Sequence, residues 1–269
     1  MTVIGAALLG VVQGLTEFLP VSSSAHLILA RAFVGWGAEG YGLAFDVAVH
    51  LGTLLALVIF FRQDLVAMAA ALPVAMQRRE AGSARMLGLV TVGTLPILPA
   101  GLLYTARVEA ALRTPAVAAA MLALGAGVFL LVERKSSRRR DETTLRLSEA
   151  VWIGVAQATA LVPGVSRSGA TIALGMLFGL RREAAARFGF LLGVPAIAAA
   201  AAREGLDLAR AGLTIDAATM FAVGVVSSAV VGYLTVKFFI RFLSGHALDA
   251  FAYYRLVLAA VTLVWILDH

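Results

Sequence analysis

Long runs of apolar residues alternate with short polar connections, and this pattern sets the predicted elements. Crossing a bilayer as a helix takes about 17–25 apolar residues. A shorter run at 188–202, interrupted by Gly193 and Pro195, is read as a further span. The pattern predicts an all-α integral membrane protein with six transmembrane helices. The five longer runs cover residues 41–61, 86–104, 115–132, 217–240 and 250–268.

Two more apolar regions are each split by a polar stretch into flanks that are too short to cross a bilayer. A flank of ten residues spans about 15 Å as a helix, roughly half of the hydrocarbon thickness of about 30 Å. We therefore expect two re-entrant helical hairpins whose irregular loops lie inside the membrane, surrounded by protein or by a polar cavity. The flanks are residues 3–12 and 27–36 around the stretch 16–26, and residues 151–162 and 169–180 around the stretch 163–168.

The two hairpins are related in sequence. A shift of 144 residues places Gln13 on Gln157 and Ser22 on Ser166, within longer matching segments. We expect a first repeat at 1–132, a basic linker at 133–148 and a second repeat at 149–269. Each repeat would consist of one hairpin and three spans, and an odd number of spans makes the repeats inverted.

Composition supports a membrane protein and excludes several other classes. The chain is 61% hydrophobic and 14% charged with a mean hydropathy of +0.91, against about 45–50% and about 25% in soluble domains. The absence of cysteine excludes disulfides and thiol nucleophiles. The basic residues behind the net charge of +6 lie in the short connections between apolar runs. This placement indicates a signal for membrane orientation rather than nucleic-acid binding.

Charge distribution also predicts the orientation of the chain. If the linker is cytoplasmic, 15 of the 22 Lys and Arg residues lie inside, as the positive-inside rule requires. Both termini are then outside, and the two hairpins enter from opposite faces. Their loops are expected to meet near the midplane.

Polar residues in the two loops predict an anion site. Helix N-termini bind anions through unpaired backbone N–H groups, and the Arg167 guanidinium is suited to two phosphate oxygens at once. Gly164 and Gly169 would allow a close approach of the backbone. The structural alternative is that the hydroxyls only cap the half-helices while Arg167 pairs with Glu17. The residues that precede the two half-helices are Ser22, Ser23 and Ser24 in one hairpin, and Ser166, Arg167 and Ser168 in the other.

Acid and base candidates lie in the first hairpin. Glu17 follows Gln13 by four residues on one helix face, and its carboxylate could hold a divalent cation or act as a general base. His26 follows Ser23 by three residues, a spacing that suits activation of the serine hydroxyl or protonation of a leaving phosphate. The alternative for His26 is a purely hydrogen-bonded role.

Asp46, His50 and Arg255 are polar residues that lie within the predicted spans. Asp46 and His50 lie four residues apart, so they could share a helix face in a structural role or support the site from outside. Arg255 is expected to extend to the interface or to bind a backbone carbonyl.

The motifs resemble a known family. Residues 13–26 look like the signature region of the bacterial undecaprenyl pyrophosphate phosphatases of the bacitracin-resistance type, and residues 163–171 match the PGxSRSxxT motif of that family in full. Chain length, motif spacing and hydropathy agree from end to end. The resemblance implies a multi-pass enzyme of the bacterial inner membrane that hydrolyses undecaprenyl pyrophosphate to the monophosphate, recycling the carrier lipid for peptidoglycan synthesis. It also implies a divalent cation, Mg²⁺ or Ca²⁺, and a site open to the outer side.

Carried over to this sequence, the resemblance gives Glu17 and His26 acid–base or metal-linked roles. Ser23 becomes the candidate nucleophile, and Arg167 binds the phosphate. Gln13 stands where the family can have a first glutamate, so a metal cage of two carboxylates is not expected. The remaining substrate-binding candidates are Gln13, Ser22, Ser24, Gly164, Ser166, Ser168, Gly169 and Thr171.

Several alternatives stay open at this point. Ser23, a water activated by His26 or a metal-bound water could attack the phosphate, and a homodimer is one option for the oligomeric state. The rival function is an inverted-repeat transporter or flippase for a lipid phosphate. A carrier needs anion donors, but it does not need Ser23 beside His26 and Glu17. A purely structural membrane scaffold would leave the polar loops unexplained.

Overall fold

The computed structural model describes residues 2–34, 42–73, 82–104, 106–211 and 215–268, and within these ranges the chain is helical without strands. Residues 35–36 of the predicted flank 27–36 and residue 41 of the predicted span 41–61 lie outside the described residues. The main helices are α1 (Val3–Thr16), α2 (Ser23–Val34), α3 (Gly42–Phe60), α4 (Arg62–Ala70), α5 (Gly82–Thr94), α6 (Ile97–Leu103), α7 (Ala106–Leu112), α8 (Pro115–Lys135), α9 (Leu147–Thr159), α10 (Arg167–Leu177), α11 (Arg182–Ala211), α12 (Ile215–Leu243) and α13 (Asp249–Asp268).

Within the described ranges, five helical segments are long and apolar enough to cross a membrane, and a bent pair of helices makes a sixth if it counts as one span. Each coincides with a run predicted from the sequence. The predicted span 41–61 corresponds to the first helix of the bent pair, and the chain turns by 73° between Phe60 and Arg62 and continues as α4. The five segments are Gly82–Leu103, Pro115–Lys135, Arg182–Ala202, Ala217–Leu243 and Asp249–Asp268, and the bent pair is Ala44–Phe60 with Arg62–Ala70.

The proline in the predicted span 188–202 does not break the helix. Helix α11 runs continuously with Pro195 inside it. Proline removes one helical hydrogen bond and crowds the carbonyl four residues earlier, which usually bends or breaks a helix. In a membrane, packing against neighbouring helices allows a helix to continue through such a residue.

Helices α1–α2 and α9–α10 are each joined by a short loop at the two places where the sequence predicts a hairpin, and these loops are tighter than expected. The half-helices extend further toward each loop, which leaves only residues 17–22 and 160–166 between them. The second half-helices begin at Ser23 and Arg167 rather than near Ala25 and Gly169. As a result, both of these polar side chains stand at the first position of a helix.

Each hairpin packs against a span from the other half of the chain. Helix α1 packs along α12, and α9 packs along α5. Glycines allow both close contacts, because a Cβ on Gly10 would lie 2.5 Å from the Gly224 oxygen and one on Gly154 would lie 2.0 Å from the Gly93 oxygen. Such small-residue contacts are typical of membrane helix packing. Gly10 and Gly154 are related by the same shift of 144 residues, so the repeated motif serves the same packing role twice.

Candidate active site

The two hairpin loops have the same local geometry. Ser22 and Ser166 both have φ 73°, a left-handed conformation that is uncommon for residues other than glycine. Each hydroxyl accepts a hydrogen bond from the backbone N–H three residues later, at 3.5 and 3.1 Å. Each also lies 3.2 Å from the hydroxyl two residues later, Ser24 or Ser168. Strained residues of this kind cost about 1–3 kcal/mol and cluster at functional sites.

Glu17 lies where the two loops meet, and its buried carboxylate contacts four side chains. Its Oε1 accepts a hydrogen bond from Arg167 Nη2 at 2.9 Å. Its Oε2 accepts hydrogen bonds from Gln13 Nε2 at 2.8 Å and from Ser23 Oγ at 2.6 Å. His50 Nε2 is 3.4 Å from the same oxygen. The predicted group of Gln13, Glu17, Ser23 and Arg167 is therefore brought together.

Arg167 is mostly buried, with 13% of its side chain exposed, and it is held at two of its three nitrogens. Its Nη2 contacts Glu17, and its Nη1 donates to the Gly193 carbonyl at 3.1 Å. Gly193 makes room for the guanidinium, because a Cβ there would lie 2.3 Å from Nη1. The Nε of Arg167 has no hydrogen-bond partner among the described residues. The Nε–H donor of this mostly buried guanidinium is therefore available to a ligand.

Other residues of the second motif stabilise the loop. Ser168 Oγ donates to the Leu19 carbonyl at 3.2 Å, which joins the two hairpins. Thr171 Oγ1 donates to the carbonyls of Arg167 and Ser168 at 3.0 and 3.2 Å. Gly164 has φ +99°, and a Cβ there would lie 2.7 Å from the Ala118 carbonyl oxygen.

Gly169, at the start of the same half-helix, is also held by close packing. A Cβ at Gly169 would lie 2.8 Å from the Phe129 ring. These contacts place Gly164, Ser168, Gly169 and Thr171 in positions that shape the site.

Arg255 fastens the two loops to α8. Its side chain is fully buried, its guanidinium lies 5.1 Å above the Phe129 ring, and it donates only to backbone carbonyls among the described contacts. The expectation of carbonyl binding is confirmed, and the alternative of a side chain extending to the interface is wrong. The acceptors are Pro20 (3.1 Å) in the first loop, Gly164 (2.9 Å) and Val165 (3.3 Å) in the second, and Met121 (2.9 Å) and Leu122 (3.1 Å) in α8.

A cavity of about 220 Å³ lies at the junction of the loops. Its apolar wall includes Val47, Ile97, Leu161 and Ile197. Its polar wall comes from both loops and from helices α2, α3, α9 and α10, so it offers hydroxyls, a carboxylate and a guanidinium to one small volume. The polar lining residues are Glu17, Ser22, Ser23, Ser24, His50, Gln157, Ser166 and Arg167.

His26 does not contact Ser23, contrary to the expected partnership. Its Nδ1 lies 2.7 Å from the Ser22 carbonyl oxygen, and its Nε2 lies 2.7 Å from the Tyr254 hydroxyl. The carbonyl four residues earlier fixes the ring against the helix, while Tyr254 of α13 takes the other nitrogen. Glu17, which directly follows α1, occupies the position beside Ser23 instead.

His50 is a site residue that sequence reasoning placed mainly in a structural role. Its Nδ1 binds the Asp46 carbonyl oxygen at 2.6 Å, while its ring lines the cavity beside Glu17. The Asp46 carboxylate instead pairs with Arg31, at 2.9 and 2.5 Å, and with Arg113. The imidazole at membrane depth was the one available signal for His50, and Gly193 gave none.

The described residues do not form a preformed cation cage. No group of three or more His, Asp or Glu residues among them could hold a metal ion. Glu17 is the one carboxylate among the cavity-lining residues, and both of its oxygens already accept hydrogen bonds. A divalent cation would therefore need most of its ligands from a bound anion or from water.

Comparison with known proteins gives matches over nearly the whole chain. The family described as bacitracin resistance protein BacA matches residues 6–261. An undecaprenyl-diphosphatase of Rubrobacter xylanophilus is 51% identical over 259 residues, which cover 95% of each chain. Undecaprenyl-diphosphatase 2 of Stutzerimonas stutzeri is 46% identical over 98% of each chain. An undecaprenyl-diphosphatase of Alcanivorax borkumensis is 43% identical over 97% of this chain and 98% of its own.

Proposed function

This chain belongs to the bacitracin resistance protein BacA family, and we propose that it hydrolyses undecaprenyl pyrophosphate to undecaprenyl phosphate and inorganic phosphate. The reaction recycles the carrier lipid for peptidoglycan synthesis and is consistent with bacitracin resistance. The observation that carries the proposal is the cluster of Glu17, Ser23 and Arg167 at a cavity between two helix N-termini. This cluster combines a proton acceptor, a nucleophile and a fixed cation.

The cavity is suited to bind the anionic end of the substrate. First-turn N–H groups of a helix have no partner within the helix, and the N-terminus carries a partial positive charge. Helices α2 and α10 both begin at the cavity. The structural alternative is also fulfilled, because Ser166 caps α10 and Arg167 pairs with Glu17. This pairing fixes the guanidinium, while its Nε–H remains free to bind phosphate.

Glu17 is placed to activate Ser23. The hydroxyl donates to Glu17 Oε2 at 2.6 Å, so the carboxylate can take the proton as the Ser23 oxygen attacks the terminal phosphorus. The bond from that phosphorus to the bridging oxygen breaks, and the lipid monophosphate leaves with the electron pair. Water then hydrolyses the phosphoserine. In the alternative route, Glu17 activates a water molecule and Ser23 only donates a hydrogen bond to phosphate.

The two histidines would have different roles. His50 lies beside Glu17 and can exchange a proton with the carboxylate or with a phosphate oxygen in the cavity. His26 is held by Ser22 and Tyr254, so the acid–base role that we propose for it requires the ring to leave Tyr254.

The divalent cation, Mg²⁺ or Ca²⁺, is proposed as a companion of the substrate. Mg²⁺ is commonly bound through one or two carboxylates together with substrate phosphates. Glu17 is the residue that could contact it, and the cation would neutralise charge on the pyrophosphate. Phosphate release after treatment with a chelator tests this proposal. Full activity in the chelated sample would remove the cation from the account.

For the architecture, we propose six spans and two re-entrant hairpins in an inverted repeat, with the cavity open to the outer side of the inner membrane. The reciprocal packing of the hairpins and the matched geometry of Ser22 and Ser166 support it. The chain has no cysteine, so single cysteines report topology cleanly. In intact cells, Ala110→Cys should react with a membrane-impermeant thiol reagent, and Ser137→Cys in the linker should be protected. The reverse pattern would invert the orientation.

Phosphate release by the purified protein in detergent micelles tests the function. Transport is undefined in micelles, so a carrier for lipid phosphates would leave the pyrophosphate intact. Stoichiometric release of inorganic phosphate would support the hydrolase. Intact substrate after incubation of the folded protein would favour the transporter.

A further inference from the structure

Gln157 is a buried amide that lines the cavity without a partner. It lies on α9, the first half-helix of the second hairpin, and its side chain is fully buried. Within the part of the chain that the structure describes, neither its Oε1 nor its Nε2 has a hydrogen-bond partner. Burying an unpaired amide is costly, so such a group in a cavity indicates a ligand.

The repeat explains why this amide is free. Gln13 is the equivalent residue of the first hairpin, and its Nε2 donates to Glu17 four residues later. The position four residues after Gln157 is Leu161, which has no polar group. The same amide that orients a carboxylate in one hairpin is therefore left available in the other.

We propose that Gln157 binds the phosphate that stays on the lipid, the one next to the prenyl chain. This inference rests on the proposed function. The amide nitrogen donates to a non-bridging oxygen of that phosphate. Gln157 is then a substrate-positioning residue that also contacts the monophosphate product.

The lining of the cavity favours the retained phosphate over the transferred one. Glu17, Ser23 and His50 are contributed by α1–α3 and mark the reacting end. Gln157 belongs to α9, and the next lining residues along the chain are Ala160 and Leu161, both apolar. Helices α6 and α11 add further apolar residues, among them Ile97, Ala196 and Ala200. An apolar wall suits the start of a prenyl chain, so the phosphate attached to that chain lies nearest Gln157.

Equilibrium binding of a short prenyl monophosphate, such as farnesyl phosphate, to the purified protein in micelles tests the proposal. In Gln157→Leu, the affinity for farnesyl phosphate should fall at least tenfold, because a hydrogen bond to a charged group is lost. The affinity for inorganic phosphate should change less than twofold. Thr262→Val is the matched control. It removes a buried hydroxyl of α13 that donates to the Leu258 carbonyl oxygen at 2.8 Å, and Thr262 is not among the residues that line the cavity.

Gln157→Glu keeps the size of the side chain and places a negative charge near the phosphate. It should also weaken farnesyl phosphate at least tenfold, and it carries the test if Gln157→Leu does not fold. Unchanged farnesyl phosphate affinity in either folded variant would overturn the proposal, as would an equal loss for inorganic phosphate. Binding of farnesyl phosphate requires no turnover. A wild-type protein that binds it but releases no inorganic phosphate from undecaprenyl pyrophosphate would therefore contradict the proposed hydrolase activity and not the proposed role of Gln157.

Discussion

Glu17 and Arg167 are 150 positions apart in sequence, and their side chains form a salt bridge of 2.9 Å between Glu17 Oε1 and Arg167 Nη2. Each residue belongs to a different hairpin, so the ion pair exists only when the two halves of the chain are assembled. Ser168, which donates to the Leu19 carbonyl, and Arg255 connect the same two loops. The site therefore forms only when the two halves of the chain are in contact.

The first prediction concerns the fork of Arg167. Lysine keeps the charge, but it cannot contact Glu17 and the Gly193 carbonyl and also offer a free planar N–H to phosphate. Arg167→Lys should lower phosphate release at least tenfold, about 1.4 kcal/mol. Arg241→Lys, at an exposed position near the end of α12, is the matched control. Activity of folded Arg167→Lys equal to that of the control would remove Arg167 from the site.

The second prediction separates the two routes of attack. If Ser23 is the nucleophile, rapid quenching with terminally labelled substrate should trap a phosphoserine, and Ser23→Ala should abolish turnover. If water attacks, loss of the Ser23 hydroxyl should cost only about 0.5–3 kcal/mol and leave measurable activity. We expect the serine route, because Ser23 Oγ lies 2.6 Å from Glu17 Oε2. Residual turnover above about one per cent in Ser23→Ala would contradict it, since removing positioned chemistry typically costs about 10²–10⁴-fold.

The third prediction concerns His50. Its imidazole lines the cavity beside Glu17, so His50→Ala should lower kcat at least tenfold through loss of proton exchange. His246→Ala is a histidine control, because His246 is exposed and its Nδ1 lies 3.0 Å from the Phe242 carbonyl oxygen. A His50→Ala enzyme as fast as the His246→Ala enzyme would leave His50 with a packing role only.

The fourth prediction concerns Arg255 and the joining of the loops. Arg255→Met keeps much of the apolar stem but leaves several buried carbonyls without a donor, at about 1–3 kcal/mol for each unsatisfied group. The thermal midpoint in detergent should fall clearly, and phosphate release should fall with it. Arg255→Lys can restore part of the bonding and should lie between Arg255→Met and the wild type. A midpoint equal to the wild type in Arg255→Met would show that the loops hold together without it.

Sequence reasoning predicted the candidate spans, the positions of the two short loops and the group around Glu17, because hydropathy and local motifs carry this information. It did not predict the bend after Phe60 or the continuous helix through Pro195, since both depend on packing against neighbours. The partner of His26 was also beyond reach, because Tyr254 lies 228 positions away and nothing in the sequence links the two. Gly193 enters the site only through the space that it leaves for Arg167.

Phosphate release from undecaprenyl pyrophosphate by Glu17→Gln tests most directly whether Glu17 accepts the proton of Ser23. The variant is purified in detergent micelles beside the wild type and Thr262→Val. Glutamine keeps the shape of the side chain but loses the proton acceptor beside Ser23. If Glu17 is the proton acceptor, wild type and Thr262→Val release inorganic phosphate at similar rates, and folded Glu17→Gln is at least about 10²-fold slower. Turnover of folded Glu17→Gln at the wild-type rate would contradict the role of Glu17 as the proton acceptor.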